Sequence, residues 1–215
     1  MTSLAGLGIK QIPRDERWHL EDGSMRIGVL AVQGAFAEHI AVLRQLEVEA
    51  LPVRLRSELR ASDGLIIPGG ESTSISRLML DYNLVGEIRN LAKSGLPILG
   101  TCAGMILLAK EVLDSDVKPL GLMDITVRRN AFGRQKESFE AELTIPVLGE
   151  KPFPGVFIRA PLIEQANSKV EILARLNNGT IVAARQGKLV ASAFHPELTD
   201  DLRFHQYFLS IVPGG

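Results

Sequence analysis

The sequence predicts an α/β fold in which a mostly parallel sheet continues into antiparallel strands. Up to about residue 109, short apolar runs alternate with amphipathic segments over short connections, a pattern typical of βαβ units. After about Met123, strand-like runs follow one another without intervening helices, which predicts hairpins and antiparallel pairing. The chain has 215 residues, of which 46% are hydrophobic, and this is enough for one domain with a sizeable core.

The first half of the chain contains four predicted strands. Each is a short, mostly apolar run, as expected for a strand that is covered on both faces of the sheet. The runs are RIGVLAV at 26–32, EALPVRL at 49–55, GLIIP at 64–68 and PILGT at 97–101. The proline in the second run favours the edge of the sheet, because it cannot donate a hydrogen bond to a neighbouring strand.

Helices are predicted after the first and third strands. Apolar residues recur at helical spacing over Phe36–Leu46, which predicts an amphipathic helix. After the third strand, Ser72 or Ser74 is expected to cap a helical stretch to about Lys93, with a break near Tyr82–Asn83.

The second half of the chain contains six predicted strands and a closing helix. The strands are DITVRRN, SFEAELTI, GVFIRAP, KVEILARL, TIVAARQ and LVASAF. Turns at Asn177–Gly179 and Gly187–Lys188 are expected to join the last three into a meander. The helix is predicted in DDLRFHQYFLSIV, with Thr199 or Asp200 as its N-cap.

Residues 1–24 are mixed, mostly polar and without periodicity, so we expect a flexible N-terminal leader before a single domain at residues 25–213. The leader lacks the order of a signal peptide, and no apolar stretch has the length of a membrane span. One cysteine cannot form an internal disulfide, and a net charge of −1 gives no basic excess for nucleic acid. We therefore expect a cytoplasmic protein that binds neither membranes nor nucleic acids.

The one cysteine, Cys102, lies at the corner between a predicted strand and an apolar helix whose first residues are Ala103–Ala109. Gly100 and Gly104 stand two residues away on either side. Such a turn exposes a side chain at the C-terminal edge of the sheet, and the start of a helix favours a thiolate. Cys102 is therefore a candidate nucleophile, with the Ala103 N–H as a candidate oxyanion donor. The alternative is a buried structural cysteine.

The best candidate for a base is His195. It follows an apolar strand, and Glu197, two residues later, can hold the second imidazole nitrogen as the orienting member of a triad does. The alternative is a strand-end turn with a solvated histidine and glutamate. His39 is expected on the solvent side of the first helix, and His205 lies within the last one. No further ligands stand at matching spacing, so no metal site is predicted.

A third segment, LIIPGGESTSIS, places two glycines directly after a strand. Glu71 would repel a phosphate and no Lys–Ser/Thr pair follows, which disfavours a nucleotide cradle. We expect the backbone N–H groups of Gly69–Gly70 to line a pocket beside the neighbouring strand end. A plain glycine-rich turn is the alternative.

Taken together, IPGGES, GTCAGM and HPE resemble the class I glutamine amidotransferases, which are glutaminase domains with a Cys-His-Glu triad. The segments GVLAVQGAFAEH, MDITVRRNAFGRQKESFE and FHPELTDDLRFHQYF narrow this to a resemblance to the glutaminase subunits of pyridoxal 5′-phosphate synthase, the PdxT family. The resemblance implies a flavodoxin-like, three-layer fold and hydrolysis of L-glutamine to L-glutamate and ammonia. It also implies a hetero-oligomer with a PdxS-type synthase subunit that receives the ammonia, and it requires no metal or organic cofactor.

The resemblance also implies roles for individual residues. Cys102 matches the nucleophile, His195 the general base and acid, and Glu197 its orienting partner. The oxyanion site matches Ala103 and Gln33, of which Gln33 lies in a loop expected to complete the site when the partner docks. The implied substrate-binding residues are Gly70, Glu71, Ser72, Arg129, Ile158 and Arg159, with Arg129 paired to the substrate α-carboxylate.

Three other functions fit parts of the sequence. A PfpI-type protease also places a cysteine at such a corner, but usually supports it with an acidic residue from an early strand end. A non-catalytic subunit that only stabilises a synthase complex is disfavoured by the intact triad. A nucleotide-binding domain is disfavoured by Glu71 in the glycine-rich loop.

Overall fold

A computed structural model describes residues 25–129 and 138–213, and the predicted leader lies outside these residues. The α-helices within them are α1 Phe36–Gln45, α2 Arg56–Arg60, α3 Ser72–Asp81, α4 Leu84–Lys93, α5 Ala103–Leu108 and α6 Arg203–Ile211. The strands are β1 Arg26–Leu30, β2 Glu49–Val53, β3 Gly64–Ile67, β4 Ile98–Thr101, β5 Ala109–Leu113, β6 Met123–Arg128, β7 Ser138–Leu143, β8 Phe153–Ile158, β9 Leu162–Ala166, β10 Glu171–Arg175, β11 Ile181–Gln186 and β12 Leu189–Ser192. Short 3-10 turns lie at Pro146–Leu148 and Pro196–Leu198.

The described strands form one large mixed sheet and one small antiparallel pair. The large sheet has the order β2-β1-β3-β4-β12-β11-β9-β6-β5, with β10 paired to β11. Its first five strands run parallel, and β11 pairs antiparallel with β12, β9 and β10. The predicted fold class is therefore confirmed, and the proline-containing β2 lies at the edge of the sheet as expected.

The centre of the sheet determines where the functional segments meet. β4 lies between β3 and β12, with Gly100 beside Ile67 and Thr101 beside Ser192. Because the three strands are parallel, their carboxyl ends reach the same edge of the sheet. The glycine-rich loop, the Cys102 corner and the segment that leads to His195 therefore lie side by side, where open α/β sheets place their ligands.

The small sheet, in which β7 pairs with β8, packs on the segment after β12 through aromatic rings. The ring of Phe194 lies 5.6 Å from that of Phe153, 5.8 Å from that of Phe157 and 5.1 Å from that of Phe204. The next residue, His195, donates its backbone N–H to the carbonyl of Val156 in β8, at 2.8 Å. Buried aromatic packing and this hydrogen bond hold the backbone of His195 against β8.

The sequence patterns miss two strands. Residues 109–113 lie beyond the apolar helix, which ends at Leu108 because Ala109 adopts an extended backbone and begins β5. This strand is exposed over part of its length and lacks a regular alternation, so its parallel pairing with β6, rather than its own pattern, determines its structure. The patterns also miss β9, because its sequence LIEQA is mostly exposed or half-buried and lacks a regular alternation. The expected break between α3 and α4 is confirmed, and Asn83 there has a positive φ of 56°.

Two predicted helix caps are wrong. Glu71, rather than Ser72 or Ser74, caps α3 by accepting hydrogen bonds from the N–H groups of Thr73 and Ser74 at 3.0 and 2.7 Å. A carboxylate satisfies the same free N–H groups as a serine would and also favours the positive end of the helix. At α6 the N-cap is Leu202 and has no side-chain cap. Asp201, not Thr199 or Asp200, accepts the N–H of Arg203 there.

Within residues 25–129 and 138–213, every helix is too short or too polar to cross a membrane.

Candidate active site

Cys102 lies on a strained corner between β4 and α5. Its backbone has φ 48° and ψ −102°, outside the regions that residues other than glycine ordinarily occupy. The Cys102 N–H donates to the carbonyl of Ser192 at 2.8 Å, which ties the corner to the end of β12. Strain of this kind is found where a nucleophile is presented at a sharp strand-to-helix turn.

The small residues around Cys102 are required by close backbone packing. A Cβ on Gly100 would lie 2.6 Å from the carbonyl group of Gly104, and a Cβ on Gly104 would overlap the carbonyl oxygen of Ile67 at the end of β3. Neither position has room for a side chain. The glycines on either side of the cysteine therefore allow α5 to pack directly on the ends of β3 and β4.

His195 and Glu197 form a close buried pair. Glu197 Oε1 lies 2.7 Å from His195 Nδ1, and both residues are less than a tenth exposed. Pro196 begins the 3-10 turn that brings the carboxylate back to the ring two residues earlier. Burial alone would raise the pKa of Glu197, but the neighbouring His39 and His195 outweigh burial and lower it, so the carboxylate is ionised.

Cys102 lies beside His195. Burial opposes the protonation of His195, but the hydrogen bonds and charges of Cys102 and Glu197 outweigh it and raise its pKa to about 10. Gly69 lies against both side chains. A Cβ on Gly69 would overlap Cε1 of His195 and would lie 3.4 Å from Cβ of Cys102. The thiol, the imidazole and the carboxylate therefore lie next to one another in a row.

The row opens into a cavity of about 470 Å³ at the carboxyl ends of the strands. Its size is in the range of small-molecule sites. The residues that line it are Gly70, Glu71, Ser72, Cys102, Ala103, Ile106, Arg129, Ser138, Ile158, Arg159 and His195. They include all six residues expected to bind substrate, together with Ile106 and Ser138, which the sequence motifs did not indicate. A larger depression of about 950 Å³, beside β7 and the start of α6, has no cysteine or histidine in its lining.

Arg129 and Glu71 form one wall of the cavity. Arg129 Nη2 lies 3.3 Å from Glu71 Oε1, while Nη1 donates to Thr73 Oγ1 and Ser115 Oγ at 3.3 and 3.1 Å. The hydrogen bond from Ser74, together with those from the backbone N–H groups of α3, outweighs desolvation and lowers the pKa of Glu71 to about 2. The wall thus presents a guanidinium beside a carboxylate that is ionised at neutral pH.

Ile158 and Arg159 lie on the opposite side, at the end of β8. The carbonyl oxygen of Ile158 lies 3.8 Å from Cys102 Sγ, within range of a weak S–H hydrogen bond. Arg159 has a positive φ of 43°, which few residues with a side chain adopt.

Gln33 lies outside the lining of the cavity. Its Oε1 accepts the backbone N–H of Glu71 at 2.9 Å. The same loop also contacts Gly69, whose carbonyl accepts the Ala35 N–H at 3.0 Å. A Cβ on Gly34 would overlap that carbonyl, so the Gln33 loop lies directly on the glycine-rich loop.

Comparison with known proteins agrees with this geometry. The model of the SNO glutamine amidotransferase family matches residues 29–213. The chain belongs to this family. The matched range contains every residue that the sequence analysis singled out for the site.

Relatives in the family match over nearly their whole length. The chain is 57% identical to the pyridoxal 5′-phosphate synthase subunit PdxT of Moorella thermoacetica over 87% of this chain and 100% of the relative. It is 58% identical to the PdxT subunit of Herpetosiphon aurantiacus, with the same coverage. A crystal structure described as a glutamine amidotransferase has 48% sequence identity and a TM-score of 0.82, covering 86% of this chain and 98% of that one.

The expectation for His39 is wrong in this member of the family. His39 is fully buried, not on the solvent side of α1, and its Nδ1 lies 2.9 Å from Nε2 of His205 in α6, which is also fully buried. A signal was available in the sequence. His39 precedes Leu43 by four residues, a spacing that places both on the same face of a helix.

Proposed function

We propose that this chain hydrolyses L-glutamine to L-glutamate and ammonia and supplies the ammonia to a pyridoxal 5′-phosphate synthase subunit. The observation that carries the proposal is the row of Cys102, His195 and Glu197, of which Cys102 and His195 line the cavity. A thiol, an imidazole and an ionised carboxylate in this order are the parts of a nucleophilic amide hydrolase. The family membership and the PdxT relatives support glutamine as the amide.

In the first half-reaction, the Cys102 thiolate attacks the side-chain amide carbon of glutamine. A tetrahedral oxyanion forms, and the Ala103 N–H at the start of α5 is our candidate donor to it, since the first N–H groups of a helix have no intrahelical partner. One donor of this kind is typically worth about 3–4 kcal/mol of the barrier. The His195 imidazolium then protonates the amide nitrogen, the C–N bond breaks, and ammonia leaves a γ-glutamyl thioester.

In the second half-reaction, water replaces ammonia at the same position. Neutral His195 removes a proton from the water as its oxygen attacks the thioester carbon, and collapse of the intermediate releases glutamate and restores the thiolate–imidazolium pair. Glu197 remains ionised throughout and holds His195 by its Nδ1. The balance is one glutamine and one water converted to one glutamate and one ammonia.

Substrate selection is assigned to the two walls of the cavity. Arg129 provides a planar guanidinium that can bind the α-carboxylate of glutamine through two parallel hydrogen bonds. Glu71 holds Arg129 and, with Gly70 and Ser72, forms the loop beside the bound amino acid. Ile158 and Arg159 border the nucleophile from β8.

The Gln33 loop is our candidate for control by the synthase subunit. Ammonia released into neutral water is mostly protonated and no longer nucleophilic, so a glutaminase that serves a synthase should be silent until a closed route exists. Gln33 is bound to Glu71 and lies outside the cavity lining. Docking of a PdxS-type subunit would have to move this loop for Gln33 to help form the oxyanion site.

The test is a glutaminase assay of the purified chain with and without the synthase subunit. We expect low glutamate release alone and a large increase on mixing. Cys102→Ala and His195→Asn should abolish release while retaining subunit binding by size-exclusion chromatography. Equal rates with and without the partner would reject control by docking, and an active Cys102→Ala variant would reject the mechanism.

A further inference from the structure

The triad carboxylate has a buried second side that the mechanism above does not use. Glu197 Oε1 binds His195, while Oε2 is buried and accepts no hydrogen bond from the described residues. The ring of His39 lies beside Oε2, and its Nε2 is 3.3 Å away. Burying a carboxylate oxygen without a hydrogen-bond donor costs folding free energy, so the stability of the carboxylate in this position depends on His39.

His39 also contacts the strand that carries the nucleophile. The same Nε2 lies 3.1 Å from Oγ1 of Thr101, the residue before Cys102. His39 is on α1, Thr101 at the end of β4 and Glu197 in the turn after β12. One imidazole nitrogen therefore reaches both the segment of the nucleophile and the segment of the base.

The surroundings of His39 determine which nitrogen carries its proton. Burial lowers the pKa of His39 against the opposing charge of Glu197, so the ring is neutral. A carboxylate oxygen only accepts hydrogen bonds, so the nitrogen that faces it is best protonated. With Nε2 protonated, Nδ1 accepts from His205 Nε2, which lies 2.9 Å away. The row then runs from His205 through His39 to Glu197 and His195.

We propose that His39 is a positioning residue for the triad: its Nε2 is hydrogen-bonded to the hydroxyl of Thr101 and packs against the free oxygen of Glu197, 3.3 Å away. The proposal rests on the proposed function. With His39 present, Glu197 is held between two imidazoles and keeps its Oε1 directed at His195. Without His39, Oε2 loses its contact with Nε2, and the carboxylate can rotate away from His195 or take up a proton.

The experiment compares three variants in the complex with the synthase subunit. His39→Leu replaces the ring with an apolar side chain of similar size and so removes Nε2. His39→Gln replaces the ring with a side chain whose terminal N–H reaches the place of Nε2. Leu43→Ala leaves a cavity on the same buried face of α1, one turn further along, and has no group that could bind Glu197 in the parent protein. Rates are divided by the folded fraction measured by circular dichroism, so that unfolded protein does not count.

We expect His39→Leu to lower kcat at least tenfold with KM for glutamine within twofold, because Arg129 and the cavity walls are unchanged. His39→Gln should restore kcat to within threefold of the parent. Leu43→Ala should lower the melting temperature yet keep kcat per folded molecule within twofold. If His39→Leu does not fold, His39→Asn, whose shorter amide does not reach Glu197, takes its place against His39→Gln.

The outcomes separate this inference from the proposed function. A parent-like kcat in His39→Leu, or an equal loss in His39→Leu and His39→Gln, overturns the positioning role. Cys102→Ala is measured beside them. An active Cys102→Ala variant would reject the triad itself, whereas an inactive one together with an active His39→Leu rejects only the role of His39.

Discussion

His39 Nδ1 lies 2.9 Å from His205 Nε2, and neither ring is exposed to solvent. The two residues are 166 positions apart in the chain, so the contact joins the first helix of the domain to the last. Within the described residues, His205 Nδ1 has no hydrogen-bond partner, which fits a neutral ring that donates from Nε2 alone.

This pair should make the protein sensitive to acid. Burial, with a smaller contribution from His39, lowers the pKa of His205 to about 3, below the ordinary value near 6.5 that it regains on unfolding. Below pH 6.5 the unfolded chain takes up a proton at His205 that the folded protein does not, so the free energy of unfolding falls as the pH drops from 6.5 towards 3. Between pH 7 and 5 the unfolding free energy of the parent should drop by about 2 kcal/mol more than that of His205→Leu. Urea unfolding at the two pH values checks this, and parallel pH curves would contradict it.

Gly69 should be intolerant of any side chain. A Cβ there would overlap the His195 ring, so Gly69→Ala is expected to displace the imidazole and lower kcat by two orders of magnitude or more. Gly86→Ala is the matched control, since nothing lies within 4 Å of a Cβ at this exposed position in α4. It should leave activity unchanged and raise stability by roughly 0.5–1 kcal/mol. Steady-state glutaminase kinetics and thermal unfolding of both variants provide the test.

Local sequence signals predict the contact between His195 and Glu197 and the corner at Cys102. Both depend on short-range geometry: a proline turn that brings a carboxylate back to a ring two residues earlier, and glycines that let a helix start against a strand end. The parallel pairing of the first strands then follows from the alternation of strands and helices. These features are encoded within a few residues of each other.

His39 shows what local signals leave out. The spacing from Leu43 indicates the buried face of α1, but the usual polarity of histidine favours solvent. Its actual partners are Thr101, Glu197 and His205, which only the tertiary fold brings to it. The cap of α3 was missed because serine is the more common cap, and the contact of Glu71 with Arg129 comes from a distant segment.

Glu71 has two functions, and a matched pair of variants can separate them. Glu71→Ala removes the cap of α3, which should cost about 1 kcal/mol of stability, and also frees Arg129 from its anchor. We expect the KM for glutamine to rise severalfold. Glu58→Ala removes the carboxylate that accepts the Arg54 and Leu55 N–H groups at the start of α2. It should lower stability without changing KM. A rise in KM for both variants would trace the effect to lost stability and not to Arg129.

The protonation of His195 should depend on the thiol beside it. Burial disfavours the imidazolium, and only the hydrogen bonds and charges of Cys102 and Glu197 raise its pKa to about 10. Removing the sulfur in Cys102→Ala takes away the first of these partners, so the pKa of His195 should fall well below that of the parent. Histidine ring signals in an NMR pH titration measure this, with His195→Asn used to assign the resonance. The parent ring is then an imidazolium at neutral pH, already holding the proton that the departing ammonia needs. An identical pKa in the parent and in Cys102→Ala would mean that the two side chains do not share a proton, and the acid in the first half-reaction would have to be another group.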